Sequence, residues 1–207
     1  MEYRCISADC HIDLNWFPDG FFVSNASQAM KERMPYVVQK GEDRKWVVKS
    51  GVDLGYANGP GTPGAMASGY KYVPGEVHRA DRMASTGLYS DGSKGIYRPT
   101  TPELRLQDQD RDGIQAEVLY GLHGPGYKMD DKEATVEFYR IYNDWLSNFC
   151  RHDLRRFIGL GVIPCHRVEA AVAEAKRIAK LGGFGGIEFL ASYDMIPLWN
   201  PYWDPLW

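Results

Sequence analysis

Asp9 and His11 stand two residues apart in the stretch Arg4-Cys5-Ile6-Ser7-Ala8-Asp9-Cys10-His11-Ile12-Asp13. Carboxylate and imidazole groups are both ligands for divalent cations. Side chains alternate along a strand, so Asp9 and His11 would share one face and Cys10 would point to the other. The pair could then grip an ion from one side at the end of a short buried strand. A surface aspartate followed by a core histidine at a first turn gives the same spacing, and D-x-H alone does not choose between the two.

Other chemistry-bearing side chains fall after apolar runs further along. His123 lies in the Gly/Pro segment Gly121-Leu122-His123-Gly124-Pro125-Gly126 and could contact a substrate or pass a proton. His166 and Arg167 follow a third apolar run, and an arginine there could clamp a carboxylate. Glu188 sits within a fourth run, where a buried carboxylate needs a partner. Trp16 and Phe17 follow the Asp9–His11 stretch closely enough to stack on an aromatic acid, and His78 with Arg79 could approach from a distance. Each has a plainer reading: a loop histidine with no role, residues that simply open a helix, rings packed at a rim.

The elements that must position these residues alternate. Residues 4–11 read as a strand. Ser24 or Asn25 could cap a helix through about Arg33, and Tyr36-Val37-Val38 and Trp46-Val47-Val48 are rich in strand formers. Residues 51–100 carry ten glycines, four prolines and five tyrosines, which reads as a long cover over a site, a surface excursion or an oligomer contact. Thr100 with Glu103 fits a capping box, and the helix that follows stops at Gly113. Ala116–Tyr120 is a short strand, and Asp130 or Asp131 caps a helix whose apolar positions Ala134, Phe138, Ile141, Tyr142, Trp145 and Phe149 keep the 3.6-residue period. Phe157–Pro164 is a continuous apolar run of the kind found in a parallel strand, a helix with Val168, Ala171, Val172, Ala175, Ile178 and Ala179 on one face follows, and Gly186–Leu190 is a further strand. Strand and helix in alternation predict an α/β fold with a parallel sheet, either doubly wound or a (β/α)8 barrel. There is no G-x-G-x-x-G after the first strand, and ligand-type residues gather at strand C-terminal ends, which favours the barrel.

Composition narrows the classes. A net charge of -3 gives no reason to expect nucleic acid or an anionic membrane, and no apolar run spans a bilayer. The four cysteines lack CxxC spacing and read as reduced thiols of a cytoplasmic protein.

Four stretches together resemble the amidohydrolase superfamily, in the branch related to aminocarboxymuconate-semialdehyde decarboxylase and the resorcylate-type decarboxylases. They are Ile6–His11, Arg105–Ile114, Arg156–Pro164 and Pro197–Trp207, in the order and spacing of that family. The resemblance implies a (β/α)8 TIM-barrel type fold, with about the first four βα units in residues 1–207 and a lid-like insertion at about 19–100 after the first strand. It implies one divalent metal ion, zinc first and manganese or magnesium as alternatives, held by Asp9 and His11, or by His11 and Asp13 in a register shifted by two. It implies hydrolysis or non-oxidative decarboxylation of a small aromatic or unsaturated carboxylic acid, for which the residues themselves offer His123, His166, Arg167 and Trp16 as candidate substrate contacts. The family's remaining ligands and its main acid and base would lie beyond Trp207. The expectation is therefore the N-terminal part of a single barrel domain, belonging to a longer protein, completed by a second chain or homo-oligomer, or standing as a non-catalytic relative.

Overall fold

The computed structural model describes residues 3–41, 43–57, 85–92 and 94–207. Along the chain lie β1 (Ile6–His11), α1 (Phe21–Asn25), β2 (Tyr36–Lys40), β3 (Asp43–Val47), β4 (Asp53–Tyr56), α2 (Leu88–Gly92), α3 (Pro102–Asp112), β5 (Ala116–Tyr120), α4 (His123–Lys128), α5 (Lys132–Cys150), β6 (Phe157–Val162), α6 (Val168–Leu181) and β7 (Phe184–Glu188).

Four strands make one parallel sheet in the order β1-β5-β6-β7. Each new strand pairs with the one formed just before it, and a helix separates every pair. A doubly wound sheet turns back from its first strand and grows in both directions. Growth in a single direction is the winding of a (β/α)8 barrel, and these are four consecutive units of it. The register sets His11 opposite Tyr120 and Val162 opposite Glu188, so the C-terminal ends of all four strands line one rim.

Helices cover one face of the sheet. Phe138, Ile141, Tyr142 and Phe149 of α5 are buried in the main core, as their spacing predicts, and Leu146 joins them. Two strand glycines bring the helices close: a Cβ on Gly159 would stand 2.8 Å from the Cys150 sulfur, and one on Gly161 would stand 2.6 Å from Ile178. Asn143 of α5 locks the sheet edge-on, its amide donating to the Val162 carbonyl at 2.8 Å and its oxygen accepting the Val162 N–H at 2.9 Å. On the opposite face Ala8 is exposed, and Val118, Tyr120, Ile158 and Leu160 are only half-buried.

The residues between β1 and α3 add a second, antiparallel sheet, β2-β3-β4. Trp46 and Leu54 of this sheet join the main core, and Phe22 bridges to it, 5.8 Å from Trp46 and 4.4 Å from Phe138 between ring centres. The predicted excursion is thus partly regular, with β4 and α2 inside it. Residues 58–84, including His78 and Arg79, lie outside the described residues.

Local expectations hold unevenly. Asp131 caps α5 by accepting the Ala134 N–H at 3.1 Å, and Gly113 ends α3 in the left-handed region at φ 71°. The capping box at Thr100 and Glu103 is not formed: α3 starts after Thr101, whose hydroxyl turns back to the Tyr97 carbonyl. The helix expected after a cap at Ser24 or Asn25 is not formed: α1 has already ended at Asn25, and only a separate 3-10 turn follows at Lys31–Arg33. β7 lies two residues earlier than its apolar run suggests.

Candidate functional site

Asp9 and His11 do meet. The register of β1 against β5 slips between Ser7 and Cys10, a bulge that re-aims the end of the strand. His11 Nε2 lies 3.0 Å from Asp9 Oδ1, with side chains 53% and 84% exposed. The His11 ring stacks on Tyr120, its register partner, at 5.7 Å and 23°. Two donors each about 2.0–2.2 Å from one cation, at about a right angle, would stand about 3 Å apart. The observed separation therefore suits a shared ion as well as a hydrogen bond, and imidazole with carboxylate is a donor set that zinc, manganese and magnesium accept. Among the described residues no group of three or more His, Cys, Asp or Glu converges on one point. Asp13 is exposed in front of a 3-10 turn, and no bond joins it to His11.

Glu188 closes the rim from the far strand. It spans the end of β6 and accepts the Gly121 N–H at 2.8 Å. Burial raises its pKa, while that N–H and the nearby His11 pull the other way. The sequence shows a carboxylate in a strand but not the backbone amide waiting for it.

His123 is not a loop residue. It opens α4 and is 2% exposed. Its Nε2 accepts the Leu190 N–H at 3.0 Å and lies 3.2 Å from the Cys165 sulfur, so the loops after β5, β6 and β7 are tied through one ring. Burial drives its pKa down to about 4, against the backbone carbonyls of His123 and Ile163. The ring is neutral, and with Nε2 accepting, the proton sits on Nδ1. Burial pushes the Cys165 thiol up to about 11, so it stays protonated at neutral pH.

His123 and His166 line a common pocket of about 260 Å³ together with Lys132, Ser192, Asp194 and Tyr202. The pKa of His166 is lowered, first by burial and then by the charges of Lys132 and Arg167. Arg167 does not enter; it points outward toward Glu169, 3.8 Å away. Trp16 is half-buried in a 3-10 turn whose carbonyl accepts the Thr100 hydroxyl at 3.1 Å, and Phe17 is ordinary core, packed on Phe21 and Trp145. The ring beside His11 is Tyr120 instead. Lys132 and Asp194 had no signal in the sequence: one looks like a helix start and the other like a polar turn.

The chain has the fold of an amidohydrolase barrel half. It superposes on an amidohydrolase of Mycobacterium avium subsp. paratuberculosis with a TM-score of 0.66 at 18% identity, covering 100% of this chain and 55% of that one. In sequence it is similar to the 2-amino-3-carboxymuconate-6-semialdehyde decarboxylase of Dictyostelium discoideum, 28% identical over 88 residues, which is 42% of this chain and 24% of the relative. A further structural likeness, to a 2,6-dihydroxybenzoate decarboxylase from Rhizobium, is 25% identical with a TM-score of 0.41, covering 49% of this chain and 35% of that one. No protein-family model matches the chain. The expected resemblance is thus met by both sequence and fold, and the chain spans about half the length of the solved amidohydrolase. No helix among the described residues is long and apolar enough to cross a membrane.

Proposed function

We propose that residues 1–207 form the first half of a metal-dependent amidohydrolase-type barrel, with Asp9 and His11 as the ligands contributed by its first strand. The enzyme they serve is a carbon–carbon lyase that decarboxylates a small aromatic or unsaturated carboxylic acid. The observation that carries this is the Asp9–His11 pair, 3.0 Å apart at the C-terminal end of β1 in a singly wound parallel sheet. The choice of decarboxylation over hydrolysis draws support from the named activity of the relative similar in sequence.

Asp9 and His11 would hold a divalent ion, zinc by preference for an imidazole donor, which when bound would supply Lewis acidity toward a substrate oxygen. The chain's own groups do the positioning. Tyr120 fixes the plane of the His11 ring, and the β1 bulge brings Asp9 beside Nε2. Glu188 holds the Gly121 amide, and with it the turn leading into α4.

Parallel sheets are ordinarily covered on both faces. Here the face carrying Ala8 and Tyr120 is open among the described residues, and the edge strands expose Ile6 (46%) and Ile187 (41%). We infer that further polypeptide closes this face, from the same protein or from a second chain, and brings the remaining ligands.

Metal analysis of the purified protein with its barrel-completing polypeptide, paired with an assay for carbon dioxide release from aromatic and unsaturated acids, tests the reading. About one zinc, manganese or magnesium per barrel, lost with activity in His11→Ala, is the expected result. A metal-free, inactive assembly indifferent to that change would instead identify a non-catalytic subunit.

A further inference from the structure

One carboxylate on the rim of the parallel sheet is held by no cation. Among the described residues, every other glutamate that is not exposed is clamped by an arginine: Glu117 by Arg105 at 2.6 Å, Glu137 by Arg140 at 2.7 Å and Glu174 by Arg177 at 2.7 Å. Glu188 is half-buried like them, yet its bonded partner is a neutral backbone amide. Its Oε2 accepts the Gly121 N–H at 2.8 Å, while Oε1 has no hydrogen-bond partner among the described residues and is not sealed from solvent. We propose that Glu188 is a catalytic residue, the acid that delivers a proton to the carbon from which carbon dioxide leaves. This rests on the decarboxylase reading above.

The backbone shows where the carboxylate sits. Gly121 follows Tyr120, the register partner of His11. The Tyr120 carbonyl accepts the Ile12 N–H at 3.0 Å, so it faces β1. In the same trans peptide the Gly121 N–H points the opposite way, toward β6. Glu188 reaches back over the end of β6 to meet it. Its carboxylate therefore lies one strand spacing and one hydrogen bond from the end of β1, roughly 7–8 Å. A flat acid standing in that gap meets the His11 side at one end and Oε1 at the other.

The surroundings suit a proton carrier. Tyr139 and Tyr142 of α5 and Cys165 after β6 lie in the field of Glu188, and burial keeps all three protonated and uncharged. His11 is the group that pulls the other way, and burial outweighs it. A carboxyl removed from water without a cation favours its neutral form, the form that can donate. His123 cannot take this part: it is 2% exposed and its Nε2 is occupied by the Leu190 N–H.

The step balances. The bond between the carboxylate and the ring or alkene carbon breaks, carbon dioxide leaves without the bonding pair, and the pair stays on that carbon. The proton on Oε1 joins it as a new C–H bond. Glu188 is left ionised and recovers a proton from solvent through Oε1.

The test compares Glu188→Gln with the parent, each with its barrel-completing polypeptide and metal, on salicylate and cis,cis-muconate as aromatic and unsaturated probes. The amide keeps an acceptor for Gly121 but is no acid. A kcat about 100-fold or more lower, with KM within threefold, metal content unchanged and the denaturant midpoint near that of the parent, is the expected result. A kcat within threefold of the parent would overturn the proposal, and so would loss of activity together with metal, which makes Glu188 a support of the ion instead. No carbon dioxide release by the parent overturns the decarboxylase reading itself and this proposal with it, whereas an active parent matched by its variant overturns this proposal alone.

Discussion

Glu188 and Gly121 are joined across an intervening strand: the carboxylate at the end of β7 accepts the backbone N–H just beyond β5 at 2.8 Å. Glu188→Ala leaves a half-buried amide without its acceptor, at a cost of about 1–3 kcal/mol. Glu188→Gln keeps an acceptor oxygen and should remain within about 1 kcal/mol of the parent. Denaturant midpoints for the two variants check both statements.

Asn143 satisfies both backbone groups of Val162 and donates to Glu174 at 2.7 Å, all in the buried interior. Asn143→Leu strips both Val162 backbone groups of their partner and removes one bond to Glu174, which keeps Arg177. A loss of about 3 kcal/mol or more is expected, read as a lowered chemical-unfolding midpoint.

Gly126 and Gly121 stand where tyrosine rings pass. A Cβ on Gly126 would come 2.2 Å from the Tyr139 ring, and one on Gly121 would come 2.4 Å from the Tyr142 ring. Either alanine substitution forces a buried ring to move, costing about 1–3 kcal/mol. Tyr139 also donates to the His123 carbonyl at 2.9 Å, so Gly126→Ala should in addition shift the His123 ring resonances, which Gly159→Ala, distant from that ring, should leave in place.

His123 predicts a pH dependence with a definite sign. Its pKa in the folded protein, about 4, lies below the ordinary 6.5 because burial opposes the charged ring. The stability tied to its neutral form is complete above pH 6.5 and is lost as pH falls through about 4. Thermal midpoints should therefore decline between those values more steeply in the parent than in His123→Asn. Imidazole nitrogen shifts should report the Nδ1–H tautomer across neutral pH.

Much of the scaffold was legible because its signals are local. The period of α5, the cap at Asp131, the stop at Gly113 and the unbroken apolar run of β6 are each set by neighbours within a few residues. The Asp9–His11 pairing was legible for a similar reason, since strand alternation needs only two residues of context, and the bulge modified rather than cancelled it. What escaped were relationships across the sheet. Glu188 reads as an isolated strand carboxylate until Gly121 is brought opposite, and Lys132 looks like a helix opening until 192–203 folds over it. The failed capping box belongs here as well: the Thr101 hydroxyl finds the Tyr97 carbonyl, a local competitor that composition does not reveal. Arg167 turns outward at the start of α6, toward Glu169.

The stretch from Ile12 to Thr101 leaves the top of β1 and returns to the top of α3, and the Thr100 hydroxyl on the Trp16 carbonyl fastens its two stumps together. Its size is therefore uncoupled from the sheet, since lengthening a tethered excursion adds little closure entropy. Such a segment behaves as an exchangeable cassette. A replacement that retained Phe22 and Trp46 as its plug would leave the register of the frame beneath unchanged.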